Sequence, residues 1–269
     1  MIPLDTFFPH LKEFNHRGIF DDIEWVWDPL KRLGETIGTL IREKAGAAER
    51  AEVLDGMAQT DSPSWCGTKA GRGIFVERWI ETTRAVYLAG PEVLIGPGTL
   101  LEPSAIIKGP AIIGADCEIR QGAYIRGNVL VGDHCVIGHA TEVKNSVIMN
   151  HTESGHFNYI GDSIIGSHVN LGAGSRLANF QFRTPEEKER NIIRPIELNI
   201  EGSMVQTGME KLGAVLGDAV EVGCNAVLCP GTLVGKTNWI YPNTTVPKGY
   251  YPPGKFLAPR DRKPRISDK

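Results

Sequence analysis

The sequence predicts an all-β fold, a left-handed parallel β-helix of hexapeptide repeats, with a mixed, partly helical N-terminal region and a loop insertion. Three observations predict it: an aliphatic residue returns at every sixth position, a glycine often follows it, and a small or β-branched residue lies four positions after it. An α-helix has a period near 3.6 residues and a β-strand a period of two, so neither explains a repeat of six.

The repeat runs in three blocks, at residues 95–143, 165–177 and 216–246. Its aliphatic positions are Ile95, Leu101, Ile107, Ile113, Ile119, Ile125, Val131, Ile137 and Val143, then Ile165, Leu171 and Leu177, then Leu216, Val222, Leu228, Val234, Ile240 and Val246. Three hexads would form one triangular coil, with the aliphatic side chain in the middle of the prism and the smaller one, from Thr99 to Val147, near its corner. Each coil would pair its backbone with the coils above and below.

The repeat breaks twice, and long loops of solenoids tend to line a functional face. From Met149 to Ile164 the phase is lost, as if two hexads were each shortened by one residue. From residue 181 to 211 a charged insertion leaves the prism before the phase returns at Leu216. We therefore expect the functional residues near these two breaks.

The pattern divides the chain into an N-terminal region at 1–86, a β-helix at 87–249 with the insertion at 181–211, and an extended tail at 250–269. In the first region, apolar residues at helical spacing predict a helix from Pro29 to about Lys44, with Asp28 as its N-cap. Residues 59–72 are rich in Gly, Ser and Thr and are expected to form a loop.

Composition excludes several classes of protein. The net charge is −3 and the basic residues form no stripe, so we expect neither a nucleic acid nor a membrane as partner. No segment approaches the roughly 20 apolar residues of a membrane span, and no signal peptide is evident, so a cytoplasmic location is expected. The five cysteines, an odd number without CxxC spacing, are expected to be small buried residues.

Polar and titratable residues concentrate at 138–146, 155–163 and 169–179. These stretches contain a lysine, two histidines, a tyrosine and several amides. Residues one coil apart lie about one strand spacing, roughly 4.8 Å, from each other, so such groups can converge.

With these residues in view, the segment from about Ile119 to Val246 resembles a known family. It is similar to the acetyltransferase half of the bacterial bifunctional enzyme with glucosamine-1-phosphate N-acetyltransferase and N-acetylglucosamine-1-phosphate uridylyltransferase activities. The matching motifs are Val143-Lys144, Gly155-His156 through Tyr159-Ile-Gly-Asp162, Val169-Asn-Leu-Gly-Ala-Gly174 and Asn179. The spacing from Arg126 to Lys144, His156 and Asn179 fits as well.

The resemblance implies an N-acetyltransferase that uses acetyl-CoA as donor and a small sugar phosphate as acceptor, in a homotrimer. The residue matching His156 would be the general base that deprotonates the attacking amine. Cations matching Arg126 and Lys144 would hold the phosphate. The residues implied to contact substrate are Arg126, Lys144, Tyr159, Asn170, Asn179 and Lys211.

The chain also departs from that family. Residues 1–90 lack a Gly-rich nucleotide loop, so no uridylyltransferase domain is expected in this chain. After Asn179 the sequence Phe180-Gln-Phe182 leads into the insertion instead of the family's tyrosine and Asp-Gly turn. Because of this departure, the identity of the acyl acceptor, and with it that of the acyl donor, stays open.

Two other functions remain open. A non-catalytic or sugar-nucleotide-binding trimeric scaffold would share the fold without the reaction. A γ-type carbonic anhydrase would bind zinc through three histidines from neighbouring coils and subunits, and the spacing of His134 and His139 suggests it. These two occupy different positions of their hexads, so we expect no metal ligands.

Overall fold

The computed structural model describes residues 2–62 and 71–259. Most of this chain winds into a triangular prism whose three faces are β-sheets, which the chain visits in the order sheet 1, sheet 2, sheet 3. From Val93 onward, neighbouring strands of the prism pair in parallel, one coil above the next. The left-handed parallel β-helix expected from the repeat is confirmed.

The three sheets are named by the order in which each coil enters them. Sheet 1 contains Glu49–Ala51, Val86–Leu88, Val93–Ile95, Ala111–Ile113, Val129–Val131, Ser146–Ile148, Ile164–Ile165, Ala214–Leu216, Thr232–Val234 and Gly249–Tyr251. Sheet 2 contains Ile80–Glu81, Leu100–Leu101, Glu118–Ile119, Val136–His139, Glu153–His156, Asn170–Leu171, Glu221–Val222, Trp239–Ile240 and Phe256–Leu257. Sheet 3 contains Met57–Ser62, Gly71–Val76, Ile106–Lys108, Tyr124–Arg126, Glu142–Lys144, Tyr159–Gly161, Arg176–Leu177, Val227–Leu228 and Thr245–Val246. We call the turns that join them the 1–2, 2–3 and 3–1 corners.

Helices of the described chain lie outside the prism. The α-helices are Leu33–Lys44 and Pro185–Glu189, and the 3-10 helices are Leu4–Thr6, Leu11–Glu13, Arg17–Phe20, Asp28–Arg32 and Ala45–Ala47. The predicted N-terminal helix is thus α-helical only from Leu33, after a tighter first turn. The expected N-cap is wrong, because the Asp28 carboxylate accepts a hydrogen bond from the preceding Trp25 N–H at 2.7 Å.

The interior of the prism is filled by the aliphatic positions of the repeat, as predicted. The two shortened hexads are confirmed as well, because the inward positions step by five residues from Val143 to Ile148 and again from Ile160 to Ile165. The first short step begins before Met149, so Val147, expected inside, faces outward among the apolar residues that cover sheet 1.

Sheet 1 is covered on its outer side. The middle residues of its strands form an outward apolar row of Leu94, Ile112, Leu130, Val147, Ile164, Val215 and Leu233. The N-terminal region packs on this row through residues such as Trp27 and Ile37, and the insertion hairpin Glu197–Ile200 and Ser203–Gln206 packs there through Leu198. Gly34 permits the close approach of the helix, since a Cβ there would lie 2.5 Å from Oδ1 of Asn128.

Several local expectations differ from the structure. Residues on both sides of 63–70 form an antiparallel strand pair, Met57–Ser62 with Gly71–Val76, so only the middle of the expected loop at 59–72 falls outside the described residues. Strands continue to Leu257, past residue 249, because they still pair in register with the coil before them.

Cys117 and Cys135 are buried as expected, whereas Cys224 is exposed. No helix of the described ranges combines the length and apolarity needed to cross a membrane.

Candidate functional site

The 3–1 corner is tightened at two successive coils, and polar residues gather there. Asn145 and Asp162 make these two turns with positive φ angles of 45° and 48°. The Lys144 ammonium lies 3.0 Å from Oδ2 of Asp162, and the Asn145 amide donates to Oδ1 of Asp162 at 2.8 Å. The carboxylate, only 7% exposed, is thereby held by two donors from the coil before it.

The next coil completes this group, which we call the corner cluster: Lys144, Tyr159, Asp162 and Asn179. The Asn179 amide donates to Oδ2 of Asp162, and the Tyr159 hydroxyl donates to Oδ1 of Asn179 at 3.3 Å. Gly161 leaves room for these contacts, since a Cβ there would lie 2.7 Å from both the Asn179 amide nitrogen and the Tyr159 hydroxyl.

Arg126 and Tyr159 lie on the outer side of sheet 3. The Arg126 guanidinium forms an ion pair with Glu142 at 2.6 Å, and both side chains are about one third exposed. Burial raises the pKa of Tyr159, and the carboxylates of Glu142 and Asp162 raise it further. The phenol is therefore a proton donor at neutral pH. The two cations expected to hold a phosphate, Arg126 and Lys144, are both already paired with carboxylates.

His156 lies at the 2–3 corner, at the end of the strand Glu153–His156. Its side chain is exposed, and its backbone N–H donates to Oδ1 of Asn158 at 3.2 Å. His139 lies in register with it one coil below, with Nδ1 2.8 Å from the carbonyl oxygen of Gln121. A carbonyl only accepts, so Nδ1 of His139 holds the proton and its Nε2 is left as the basic nitrogen.

The remaining two predicted residues lie on separate parts of the surface. Asn170 is exposed on sheet 2, where its amide donates to Glu221 at 2.9 Å beside a groove of about 620 Å³ lined by Trp239 and Phe256. Lys211, at the end of the insertion, lies near the 3–1 corner with its ammonium 5.7 Å from the centre of the Phe180 ring. It adjoins the corner cluster, because the next residue, Leu212, donates its N–H to the Asn179 carbonyl.

The structure thus brings Lys144, Tyr159 and Asn179 into contact and sets Arg126 beside them. His156 is separate from them. The strand Tyr159–Gly161 runs from the corner of His156 to the corner cluster, a span of roughly 10 Å for three residues. His156 is exposed at one end of this strand, while the strand itself is half-buried at Tyr159 and buried at Ile160 and Gly161.

The histidines that suggested a zinc site do not converge. His134 lies at the 1–2 corner and His139 at the 2–3 corner, before and at the end of the strand Val136–His139. Within the described residues, the group whose ligand atoms lie close enough to hold a metal contains neither of them. This geometry argues against the carbonic anhydrase hypothesis.

The family model described as the GMPPB C-terminal domain matches residues 107–247, more than half of the chain. The chain belongs to this family. The range shared with the GMPPB C-terminal domain family contains all seven predicted site residues.

Curated relatives of this family member include two bifunctional proteins. A bifunctional sugar-1-phosphate nucleotidylyltransferase/acetyltransferase of Sulfurisphaera tokodaii is 36% identical over 157 residues, covering 52% of this chain and 37% of the relative. A bifunctional protein GlmU of Methanococcus vannielii is 39% identical over 126 residues, covering 47% of this chain and 28% of the relative. The chain spans about a third of the length of the curated relatives that it matches.

One solved structure is also similar to this GMPPB C-terminal domain protein. It is a perosamine N-acetyltransferase of Caulobacter crescentus in complex with CoA and GDP-perosamine. The two share 16% identity, with a TM-score of 0.32 over 56% of this chain and 50% of that one.

The sequence did not point to two residues that contact the predicted ones, and it assigned a third to a different function. The motif that ends at Asp162 predicts no role for its carboxylate, yet this carboxylate is the acceptor that holds Lys144 and Asn179. Glu142, which pairs with Arg126, had no predicted role, and His139 was considered only as a zinc ligand. The repeat does contain a signal for Asp162. It shortens from six residues to five at two corners, and Lys144 lies next to the first of them while Asp162 forms the second.

Proposed function

We propose that this chain transfers an acetyl group from acetyl-CoA to the amine of an amino-sugar phosphate, with glucosamine-1-phosphate as the first acceptor to test. One observation supports the proposal most: a histidine and a lysine–carboxylate–amide cluster lie at the two ends of one short strand, Tyr159–Gly161. An acetyltransferase named among the relatives supports the same reaction.

In this proposal His156 is the general base. The amine nitrogen of the sugar attacks the thioester carbonyl carbon, its proton passes to the imidazole, and the C–S bond breaks to release the thiol of coenzyme A, which takes up a proton. A histidine side chain titrates near neutral pH and is suited to this exchange. The exposed position of His156 at a corner allows both substrates to reach it.

His139 is a second candidate for the base. Its Nδ1 proton is fixed by the Gln121 carbonyl, which leaves Nε2 free to accept a proton, the arrangement expected of an oriented base. Parallel substitutions of His139 and His156 separate the two roles. We assign the proton transfer to His156, because it is the histidine inside the motif that resembles the acetyltransferase family, Gly155-His156 through Asp162.

The phosphate would bind at the corner cluster. Arg126 and Lys144 would contact its oxygens, while Tyr159 and Asn179 would hydrogen-bond the sugar ring. Glu142 and Asp162 then have two effects, since they fix the cations in place and also compete with the phosphate for them. Lys211, at the edge of the cluster, would add a further positive charge.

The donor would lie along sheet 2. The groove beside Asn170 is lined by Val222, Trp239, Ile240 and Phe256, which suits the apolar arm of a coenzyme A thioester. Asn170 would hydrogen-bond an amide of that arm or the sugar, as its position at the rim allows.

We further propose a homotrimer in which the exposed faces of sheets 2 and 3 meet between subunits. Trp239 and Phe256, large apolar side chains that are 60% and 48% exposed, support such contacts. A measured molar mass of three chains agrees with this arrangement, and that of one chain contradicts it.

The test is an acyl-transfer assay that detects free thiol. The purified protein is given acetyl-CoA and a panel of amino-sugar phosphates, with unphosphorylated glucosamine as the matched acceptor that lacks the phosphate. Thiol release with glucosamine-1-phosphate, and at least about tenfold less with glucosamine, supports the proposal. No release with any acceptor, under conditions where the trimer is intact, contradicts it.

A non-catalytic, ligand-binding scaffold is the second candidate function. Arg126 and Lys144 are already paired with carboxylates, which favours this candidate, because paired cations are less available to the phosphate of an acceptor. Binding of a sugar nucleotide without thiol release would identify the chain as such a scaffold.

A further inference from the structure

A column of histidines lines the 1–2 corner on the opposite side of sheet 2 from His156. His134, His151 and His168 make the same turn in successive coils, with φ angles of 57°, 59° and 58°. Their rings stack nearly parallel, with centroids 4.8 and 4.7 Å apart and interplanar angles of 8° and 4°. The one-coil spacing of the prism thus sets the imidazoles at regular intervals along the corner.

The N-terminal segment 7–16 runs beside this column and is anchored to it by polar contacts. The His10 N–H donates to Oδ2 of Asp218 at 2.8 Å, while another oxygen of that carboxylate accepts from the prism backbone. The Asn150 amide donates to the Glu13 carbonyl at 3.0 Å. The anchors near His10 and Glu13 therefore use backbone atoms of the segment, and the two side chains are free to face the column.

The segment adds two ligand-type side chains to one end of the column. Nδ1 of His10 lies 3.2 Å from Oε1 of Glu13, and the ring of His10 meets that of His168 at 5.4 Å and 71°. One ligand atom from each of His10, Glu13 and His168 lies within 4.8 Å of the other two, and all three residues are exposed.

These atoms are close to the geometry of a bound ion. Ligand atoms about 2.0–2.2 Å from a tetrahedral ion lie roughly 3.3–3.6 Å from each other, so small rotations of exposed side chains bring them to that spacing. Lone pairs of imidazole lie in the ring plane. The crossed rings of His10 and His168 can direct them at one point, whereas the parallel rings of His134 and His151 direct them side by side.

We propose that His10, Glu13 and His168 bind a divalent transition-metal ion of the zinc class and so fasten the N-terminal segment to the prism. Two imidazole nitrogens and one carboxylate oxygen are a donor set that such ions prefer over Ca²⁺ and Mg²⁺. His10 and Glu13 belong to the segment and His168 to the solenoid, so the ion joins two parts of the chain that are far apart in sequence. This site is separate from the acyl-transfer site and does not depend on it.

The test uses Zn²⁺ with the full chain, by calorimetric titration, together with Co²⁺, whose visible absorption reports nitrogen and oxygen coordination. We expect one ion per chain. His10→Ala, Glu13→Gln and His168→Ala should each weaken binding by at least about tenfold, as loss of a ligand does. His134→Ala, at the far end of the same column, is the matched control and should change the affinity by less than about twofold.

A second measurement tests whether the bound ion holds the N-terminal segment against the prism or is bound by the histidine column alone. Zn²⁺ should slow hydrogen exchange of the backbone amides of residues 7–16 in the native protein and in His134→Ala, but not in His168→Ala. The side chains of His10, Glu13, His134 and His168 are exposed, so the variants should fold. Unchanged affinity in His10→Ala, equal loss in His134→Ala, or no binding of Zn²⁺ at 1:1 stoichiometry would each overturn the proposal.

Discussion

Sheet 1 and sheet 3 follow the same repeat, yet their outer sides have opposite chemistry. In sheet 1 the strand Val129–Val131 is buried at all three positions, because its outward residue Leu130 lies under the N-terminal region. In sheet 3 the strand Tyr124–Arg126 buries only its middle residue and exposes an aromatic ring and a cation on either side. One face is apolar on both sides, and the other is apolar only towards the core.

We infer from this difference that the two faces have separate roles. A face buried on both sides adds apolar area and stabilises the prism, while an exposed face can hold polar groups in fixed register without weakening the core. His156 and the corner cluster lie at the two edges of sheet 3, where His156 is exposed and Asp162 and Asn179 are buried. Substitutions on sheet 1 should therefore change stability, and substitutions on sheet 3 should change binding.

The largest effect is expected on the covered face. Leu130→Ala removes a fully buried side chain between the N-terminal helix and sheet 1 and should lower the free energy of unfolding by about 2–5 kcal/mol. Urea denaturation measures it. The matched change on an open face, Val136→Ala at a half-buried outward position of sheet 2, should cost less than about 1 kcal/mol. Equal losses would show that the covering of sheet 1 adds no stability.

A pH dependence of intermediate size is expected from the same region. Burial, with the charge of Lys44 adding to it, lowers the pKa of His16 to about 4. In the unfolded chain the imidazole titrates near 6.5, so the unfolded state gains protons first as the pH falls. The contribution of neutral His16 to stability is therefore fully present above pH 6.5 and is lost between about pH 6.5 and 4. The free energy of unfolding should fall by about 2 kcal/mol from pH 7.5 to 5.

His16→Phe provides the control for that pH dependence. A phenyl ring can occupy the buried site beside Phe14 but cannot take up a proton. Denaturation curves of the variant should lose most of the difference between pH 7.5 and 5. If the native protein is equally stable at both values, His16 does not titrate as its burial predicts.

The smallest effect on stability is expected at the ion pair of sheet 3. Glu142→Gln removes the charge that holds Arg126 but keeps the side-chain volume. The free energy of unfolding should therefore change by less than about 1 kcal/mol. The freed guanidinium should bind the phosphate of the ligand a few times more tightly. Isothermal titration with a sugar phosphate checks this, and weaker binding would mean that Glu142 orients Arg126 rather than competing for it.

The repeat predicted the core well because an inward side chain must fill the same prism in every coil. The aliphatic series and the two shortened hexads follow from that geometric requirement, so the pattern alone located them. The cover of sheet 1 was also visible in principle, since Leu94, Ile112 and Leu130 recur every 18 residues at outward positions, but the sequence does not show which segment covers them.

The site was less predictable than the core. Contacts such as Lys144 with Asp162 arise between coils, and they depend on the exact residue at which each coil is shortened. The Asp28 cap was predicted from a local preference, but the Asp28 carboxylate accepts the backbone N–H of Trp25, which precedes the helix, instead of one from its first turn. The position of the histidine column beside residues 7–16 could not be predicted, because nothing in the repeat determines the path of the N-terminal segment.

The central claim is that the exposed side of the prism performs the chemistry while the covered side provides the stability. The most direct measurement is the turnover of His156→Ala, beside His139→Ala, with the urea midpoint recorded for each. We predict that His156→Ala lowers kcat by about 10²- to 10⁴-fold at an unchanged midpoint, because a lost general base has that effect. Wild-type turnover by His156→Ala, on an acceptor that the native protein acetylates, would contradict the account.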